Sequence, residues 1–243
     1  EKVAKNAASA CINQLAALEA QLSRFRIDSD IARINALPAG QQLYINEVTH
    51  RCLLQAIEAT ALTQGLFDIT LGSRTHEDSD KDSTAVAGQI QIAPDQPLVT
   101  CIEAGRKIDL GGIGKGFALD ELAVTLKNHQ IESALLSAGS STLLAYGSHT
   151  WPIDLTGDEN STRLQLKNAA LSASGTGIQG AHVVHPDRSV SDQRYTFKRV
   201  WLITANAALA DACSTACLLM DDEEIQGFGA SLEGQMEIHV EPH

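Results

Sequence analysis

The chain has 243 residues, 44% of them hydrophobic and 20% charged, so it is long enough to bury a sizeable core as one large domain or two small ones. Its formal net charge of −12 argues against binding a phosphate backbone, which needs clustered Lys and Arg. It leaves room for a single nucleotide held by a divalent cation, because the cation supplies the local positive charge. No run approaches the roughly 18 apolar residues of a membrane span. The sequence shows no signal peptide and starts at Glu1 rather than Met, which reads as a processed or trimmed form. Cys11, Cys52, Cys101, Cys213 and Cys217 form no CxxC pair and no zinc-type spacing, so at least four are expected to be small buried apolar residues.

A first helix is expected from about Val3 to Leu22, with Ile12, Leu15 and Leu22 on one face. A second, short one starts near Asp28 or Ser29 and carries Ile31 and Ile34. A third runs from after Asn46 to Gly65, read as its C′ residue, with Leu53, Leu54, Ile57 and Ala61 as the buried stripe. Ser73 to Gly88, acidic and polar in its first half, reads as an exposed loop. Alternation in Gln89-Ile90-Gln91-Ile92 signals a strand, and Arg106–Leu110 reads as another.

Gly111 to Gly116 form a glycine-rich turn before a helix bearing Leu119, Leu122, Ala123 and Leu126. Strands are expected near Ile131–Ser137, Thr142–Tyr146, Arg163–Leu166, Ala181–His185 and Arg199–Thr204. A helix from about Ala207 to Met220 and a strand near Gln235–Val240 complete the chain. Without strict βαβ alternation, the pattern predicts an α+β fold with mixed, largely antiparallel sheets.

The segment Asp109-Leu110-Gly111-Gly112-Ile113-Gly114-Lys115-Gly116 is the first that suggests chemistry. Glycines let the backbone approach a ligand, the following helix offers unpaired N–H groups, and Lys115 adds positive charge. Asp109 can accept a hydrogen bond from a ribose or ring N–H. The segment is not a P-loop, since Asp109 replaces the first glycine and Gly116 the hydroxyl residue. No register supplies G-x-G-x-x-G either. On the glycines alone, a bare strand-to-helix turn is as good a reading as a phosphate cradle. Further on, Asp211 and Thr215 stand at i and i+4 and so share a helix face. Both are hard oxygen donors of the kind Mg²⁺ takes, although an isolated D-x-x-x-T is more often a local arrangement.

Together these motifs resemble the ApbE family of flavin transferases, in order over nearly the whole chain. The matching segments are Leu22-Ser23-Arg24-Phe25 with Asp28-Ser29-Asp30-Ile31 and Asn35, Gly65-Leu66-Phe67-Asp68-Ile69-Thr70, Asp109 to Gly116 with Asp120, Ser174-Gly175 with His182 and His185-Pro186-Asp187, and Asp211 to Ala216. The resemblance implies one ApbE-like catalytic domain over 1–243, lacking the family's N-terminal strand with its Met-Gly-Thr segment. It implies that Asp211, Thr215 and the Gly112 carbonyl hold Mg²⁺, and that Asp109 and Lys115 contact FAD. Phe25, Phe67 and Asp68 would line the cofactor cleft, and His182 would lie near the reacting centre. As a neutral imidazole near pH 7, His182 suits proton removal from an attacking hydroxyl. The implied reaction is Mg²⁺-dependent transfer of FMN from FAD to a Thr or Ser hydroxyl of an acceptor protein. That acceptor would be a flavin-carrying subunit of a redox complex, in the bacterial periplasm. This chain departs from the family pattern in the short acidic stretch after Gly72, at Ser137–Ser141 and in the order of His185-Pro186-Asp187. Competing readings are hydrolysis of FAD to FMN and AMP, a non-catalytic FAD-binding protein, and a fold with an empty cleft.

Overall fold

A computed structural model describes residues 2–72, 87–158, 161–176, 183–186, 195–232 and 234–243. Three helices open it: α1 (Lys2–Leu22), α2 (Asp30–Asn35) and α3 (Glu47–Leu62). Strand β1 (Gln42–Tyr44) pairs with β3 (Leu98–Glu103), which pairs with β2 (Gln89–Ile92), to give a small antiparallel sheet in the order β1-β3-β2. After α4 (Gly114–Asn128) come β4 (Ser133–Ala138), β5 (Thr142–Gly147), β6 (Trp151–Thr156), β7 (Ser161–Leu166), β8 (Ala169–Gly175) and β9 (Phe197–Thr204). Helices α5 (Ala207–Cys217) and α6 (Asp222–Ser231) and strand β10 (Met236–Pro242) follow. The main sheet is antiparallel, in the order β10-β9-β8-β5-β4, and β6 and β7 form a separate antiparallel ribbon. The fold is α+β, as expected.

The period-2 alternation of strands gives the main sheet two different faces. Leu144, Ala170, Val200 and Leu202 join the main core with α4 and α5, whereas Ala145, Leu171 and Trp201 pack with Leu155 and Leu166 of the ribbon in a second, smaller core. The helix face also carries Thr142 and Ser172, both fully buried and opposite one another across β5 and β8.

Helix α5 is the centre of the molecule. Ala207, Ala208, Ala210, Ala212 and Ala216 are all wholly buried. Such small side chains let a helix sit close to a sheet and to a second helix. Its N-terminal N–H groups are all satisfied. Asp120 of α4 accepts from Ala207 and Ala208 at 3.0 and 2.9 Å, the N-cap Asn206 side chain accepts from Leu209 at 2.8 Å, and Ala210 donates to the Asn206 carbonyl. Burial raises the Asp120 pKa and outweighs the lowering by these two N–H donors.

Several local expectations need correction. On α1 the buried residues are Ala7, Cys11 and Leu18, while Ile12 and Leu15 are exposed. On α3, Thr49, Cys52, Leu53, Ala56 and Ala59 face inward and Ile57 and Ala61 do not. In both helices the packed stripe uses small residues, so following only the large apolar ones rotates the face. Helix α3 ends in a Schellman motif: Gly65 N–H donates to the Thr60 carbonyl and Gln64 N–H to the Ala61 carbonyl. Gln64, at φ 51°, is thus the C′ residue, and Gly65, at φ 88°, follows it. Arg106–Leu110 is an extended segment tied by single bonds to 69–72 rather than a ladder strand. Helix α4 already begins at Gly114, so the turn proper is Gly111–Ile113. Val183–His185 is not a strand. Most of the acidic loop, 73–86, lies outside the described residues, as do His182 and Asp187.

All five cysteines are free and buried. Burial pushes the Cys52 and Cys213 thiols up from 9.0 to about 12, and raises Cys217 further. A thiol whose folded-state pKa is raised stabilises the fold fully below its unfolded pKa and loses that contribution as pH rises through the folded value. The thiols' contribution to the denaturation midpoint in urea should therefore be constant below about pH 9 and shrink steadily between about pH 9 and 12, so that Cys52→Ala flattens the alkaline limb. In the same range, alkylation of native protein should stay far slower than that of unfolded protein.

Candidate active site

The early motif acts as scaffolding. Ser29 accepts from Ala32 N–H at 3.0 Å and caps α2. Buried Asp30 accepts from Asn46 N–H at 2.7 Å and from Thr49 Oγ1 at 2.8 Å, fixing the start of α3. Asn35 behaves like a strand partner for Ile108. Its Nδ2 donates to the Ile108 carbonyl at 2.9 Å, and its Oδ1 accepts from Ile108 N–H at 2.6 Å. Asp109 N–H donates to the Ile69 carbonyl at 2.8 Å. Asp109 is thus held from both sides before the glycine turn begins.

Asp109 is not an open acceptor. Its Oδ1 takes the Gly111 N–H at 2.9 Å, an Asx turn that shapes the glycine segment, and its Oδ2 pairs with Arg24 at 2.9 Å. The Arg24 guanidinium also lies 4.6 Å over the ring of Phe25, which is 82% exposed. Arg24 therefore links the exposed aromatic ring to the turn. Asp68 is engaged as well: Oδ1 accepts from Thr70 N–H and Oγ1, and Oδ2 pairs with Arg106 at 3.1 Å, while Arg106 also bonds Thr70. Phe67 is buried, and its Cε2 would lie 3.0 Å from a Cβ built on Gly112. Such a Cβ would also meet Thr215 Oγ1 at 3.3 Å. Gly112, Phe67 and Thr215 thus converge, and only glycine fits between the other two without displacing them.

Asp211 lies at the meeting point of α4, α5 and the main sheet. Its side chain is only 4% exposed. Oδ2 accepts from Gly116 N–H at 3.1 Å. Oδ1 accepts from Ser172 Oγ at 3.2 Å and Thr142 Oγ1 at 3.3 Å, and Lys115 Nζ lies 3.2 Å from it. Lys115 Nζ is also 3.4 Å from the Gly111 carbonyl oxygen. One turn along α5, Thr215 Oγ1 donates to the Asp211 carbonyl at 3.0 Å and lies 3.3 Å from Ser174 Oγ, which itself is 3.0 Å from Ser214 Oγ. Lys115, Gly112, Asp211 and Thr215 are therefore brought together.

Sequence reasoning does not single out three members of this cluster as site residues. Thr142, Ser172 and Ser214 are hydroxyls far apart in sequence, and only strand pairing aligns the first two beneath α5. Ser174 enters the sequence pattern only as half of a Ser-Gly pair. A surface concavity of about 670 Å³ bounded by Glu132, His149 and Trp151 involves none of these residues.

The fit to a divalent cation follows from the donors. Among the described residues no group of three or more His, Cys, Asp or Glu could hold a metal. An ion here would rest on one carboxylate and neutral oxygens, with water or phosphate completing its shell, as Mg²⁺ prefers. The Lys115 ammonium, seated between a carboxylate and a turn carbonyl, shows that this oxygen-lined place accepts a cation.

The sequence profile of the ApbE family matches residues 2–240. An FAD:protein FMN transferase of Buchnera aphidicola subsp. Schizaphis graminum is 23% identical over 236 residues, covering 83% of this chain and 69% of that protein. One from Rhodobacter capsulatus is 26% identical over 228 residues, 81% of this chain but only 43% of that protein. Among solved structures, the apo form of the Pseudomonas stutzeri flavinyl transferase ApbE superposes with a TM-score of 0.81 at 20% identity, over 98% of this chain and 86% of that one. The flavin transferase ApbE of Vibrio cholerae gives 0.81 at 18% identity, over 98% and 88%. With the profile spanning nearly its full length, this chain belongs to the ApbE family.

Proposed function

We propose that the chain is an FAD:protein FMN transferase that works with Mg²⁺. In this reaction the acceptor Thr or Ser oxygen attacks the FMN phosphorus, the pyrophosphate P–O bond breaks, and AMP leaves with the bridging oxygen. The observation that carries this reading is the buried Asp211 carboxylate, set against Lys115, Thr215 and the glycine turn in a pocket of oxygen donors. Asp211, Thr215 and the Gly112 carbonyl are the proposed ligands of the ion. When bound, Mg²⁺ would neutralise charge on the pyrophosphate oxygens.

The chain's own residues supply the rest. Gly112 keeps the turn clear of side chains, so that phosphate oxygens can approach the backbone. Lys115 offers a charged donor at the start of α4. Arg24 and Asp109 hold the rim near Phe25, where a flat ring could lie. The supporting family relatives are named for this activity, and the proposed compartment, the bacterial periplasm, rests on family resemblance. Hydrolysis of FAD needs the same metal and pyrophosphate contacts. The two are separated by incubating the protein with FAD, Mg²⁺ and an acceptor protein. An acceptor gaining the mass of FMN with one AMP released supports transfer. AMP and free FMN without acceptor labelling would replace transfer by hydrolysis.

The proposed base is His182, outside the described residues. His182→Ala should slow transfer by about 10²–10⁴-fold with FAD affinity little changed. The parent rate should fall as pH drops through the imidazole's pKa, because only the neutral ring accepts a proton. Parent-level labelling by His182→Ala would remove this residue from the mechanism.

A further inference from the structure

The ion pair between Lys115 and Asp211 has a consequence for the order in which ligands enter, provided the metal reading above is right. Asp211 is all but buried, whereas the Lys115 side chain is 42% exposed. Among the described residues Lys115 is the only cationic side chain paired with this carboxylate. Its ammonium also reaches the Gly111 carbonyl, which belongs to the same turn as the proposed Gly112 ligand. The lysine thus takes the position of a cation beside this carboxylate. A divalent ion taking Asp211 as ligand would compete with that ammonium for the same carboxylate. Lys115 sits in the first turn of α4, at the helix end that favours an anion, and its exposed stem is free to swing toward solvent.

We propose that Lys115 is a displaceable counter-ion that makes metal and pyrophosphate bind as a coupled pair. Without the nucleotide, the ammonium neutralises Asp211 and opposes the metal. When a pyrophosphate is present, the ammonium moves to a phosphate oxygen and Asp211 becomes available to the ion. Each ligand thereby raises the affinity of the other, by the same factor, as linkage requires. The device keeps the buried carboxylate paired at all times, which matters because an unpaired buried charge is costly.

Lys115→Met tests this, because the proposal gives its two affinities opposite signs. Mn²⁺ binding, followed by electron paramagnetic resonance in the absence of nucleotide, should tighten in Lys115→Met, within the roughly 5–150-fold range of site-to-site coupling. ADP, a pyrophosphate without flavin, should bind the variant more weakly than the parent. The factor by which ADP improves Mn²⁺ affinity should shrink. Lys127→Met, at the other end of α4, removes the same charge and should leave all three quantities near the parent values. Metal-free Lys115→Met should melt lower than the parent and gain more from added Mg²⁺. Unchanged or weaker Mn²⁺ binding by a folded Lys115→Met protein would overturn the counter-ion role while leaving the metal reading intact. If neither protein bound Mn²⁺ with or without ADP, the metal site itself would be wrong and this proposal would fall with it. An equal gain in Lys127→Met would reduce the effect to net charge and overturn the proposal.

Discussion

Gly116→Ala should lower the stability of this protein by about 3 kcal/mol, the upper end of ordinary overpacking. A Cβ at Gly116 would lie 2.0 Å from the Ala207 carbonyl oxygen and 2.4 Å from its carbon. Both are backbone atoms of α5, so no side chain can rotate away. The usual gain of about 1 kcal/mol from placing alanine rather than glycine in a helix acts in the opposite direction and is too small to win. The helices must separate, and the Gly116 N–H bond to Asp211 Oδ2 and the Asp120 bonds to Ala207 and Ala208 are strained together. For a chain of this size the melting temperature should fall by roughly 6–12 °C. Thermal unfolding followed by circular dichroism reads this directly. A variant melting within about 2 °C of the parent would mean that α4 and α5 are not in backbone contact at this point. The proposed transferase activity should fall even below the melting transition, because the same shift pulls the Gly116 N–H off Asp211 and displaces the glycine turn from α5.

The contrast between Gly116 and Thr142 shows what a sequence can reveal here. The helical readings were sound wherever a cap or an i, i+4 spacing is local: Ser29, Asn46, and Asp211 with Thr215 all stand where the periodicity placed them. The buried faces of α1 and α3 differ from the expected ones because small residues, Ala7, Cys11, Thr49 and Ala56, do much of the packing. Strand β8, Ala-Ala-Leu-Ser-Ala-Ser-Gly, is not legible in the sequence, since Ala, Ser and Gly carry little strand preference of their own. It is a strand because β5 and β9 pair with it on either side. With β8 unseen, Ser172 could not be placed beneath α5. Helix α6 is legible in hindsight from its capping box, Asp221 with Glu224, a local signal absent from the expectations above. The glycine turn presents the opposite case. Its glycines suggested a ligand, and Gly116 turns out to be required by a helix crossing, whereas Gly112 is required by Phe67 and Thr215.

Asp211 is the position where structure and proposed chemistry meet, and its replacement should have the largest effect on activity. The family resemblance implies that Asp211→Ala would remove a metal ligand and leave the fold intact. The structure changes that expectation, because Thr142, Ser172, Gly116 N–H and Lys115 all direct donors at this carboxylate. Truncation to alanine leaves buried donors without an acceptor, at about 1–3 kcal/mol each. Asp211→Asn is the sharper test, because it keeps the shape and one acceptor oxygen but removes the charge. With FAD, Mg²⁺ and an acceptor, its rate should fall by at least about 10³-fold, the scale on which phosphoryl transfer depends on charge stabilisation. Its melting temperature should lie between those of the parent and Asp211→Ala. Thr215→Ala, which removes only the proposed neutral ligand, should be milder on both counts. AMP release measured against Mg²⁺ concentration separates a lost ligand from a lost fold: a weakened site shifts the midpoint to higher Mg²⁺, whereas partial unfolding lowers the plateau alone. Folded Asp211→Asn protein turning over within about tenfold of the parent at the same Mg²⁺ concentration would leave this carboxylate with only the structural task of joining α4, α5 and the sheet.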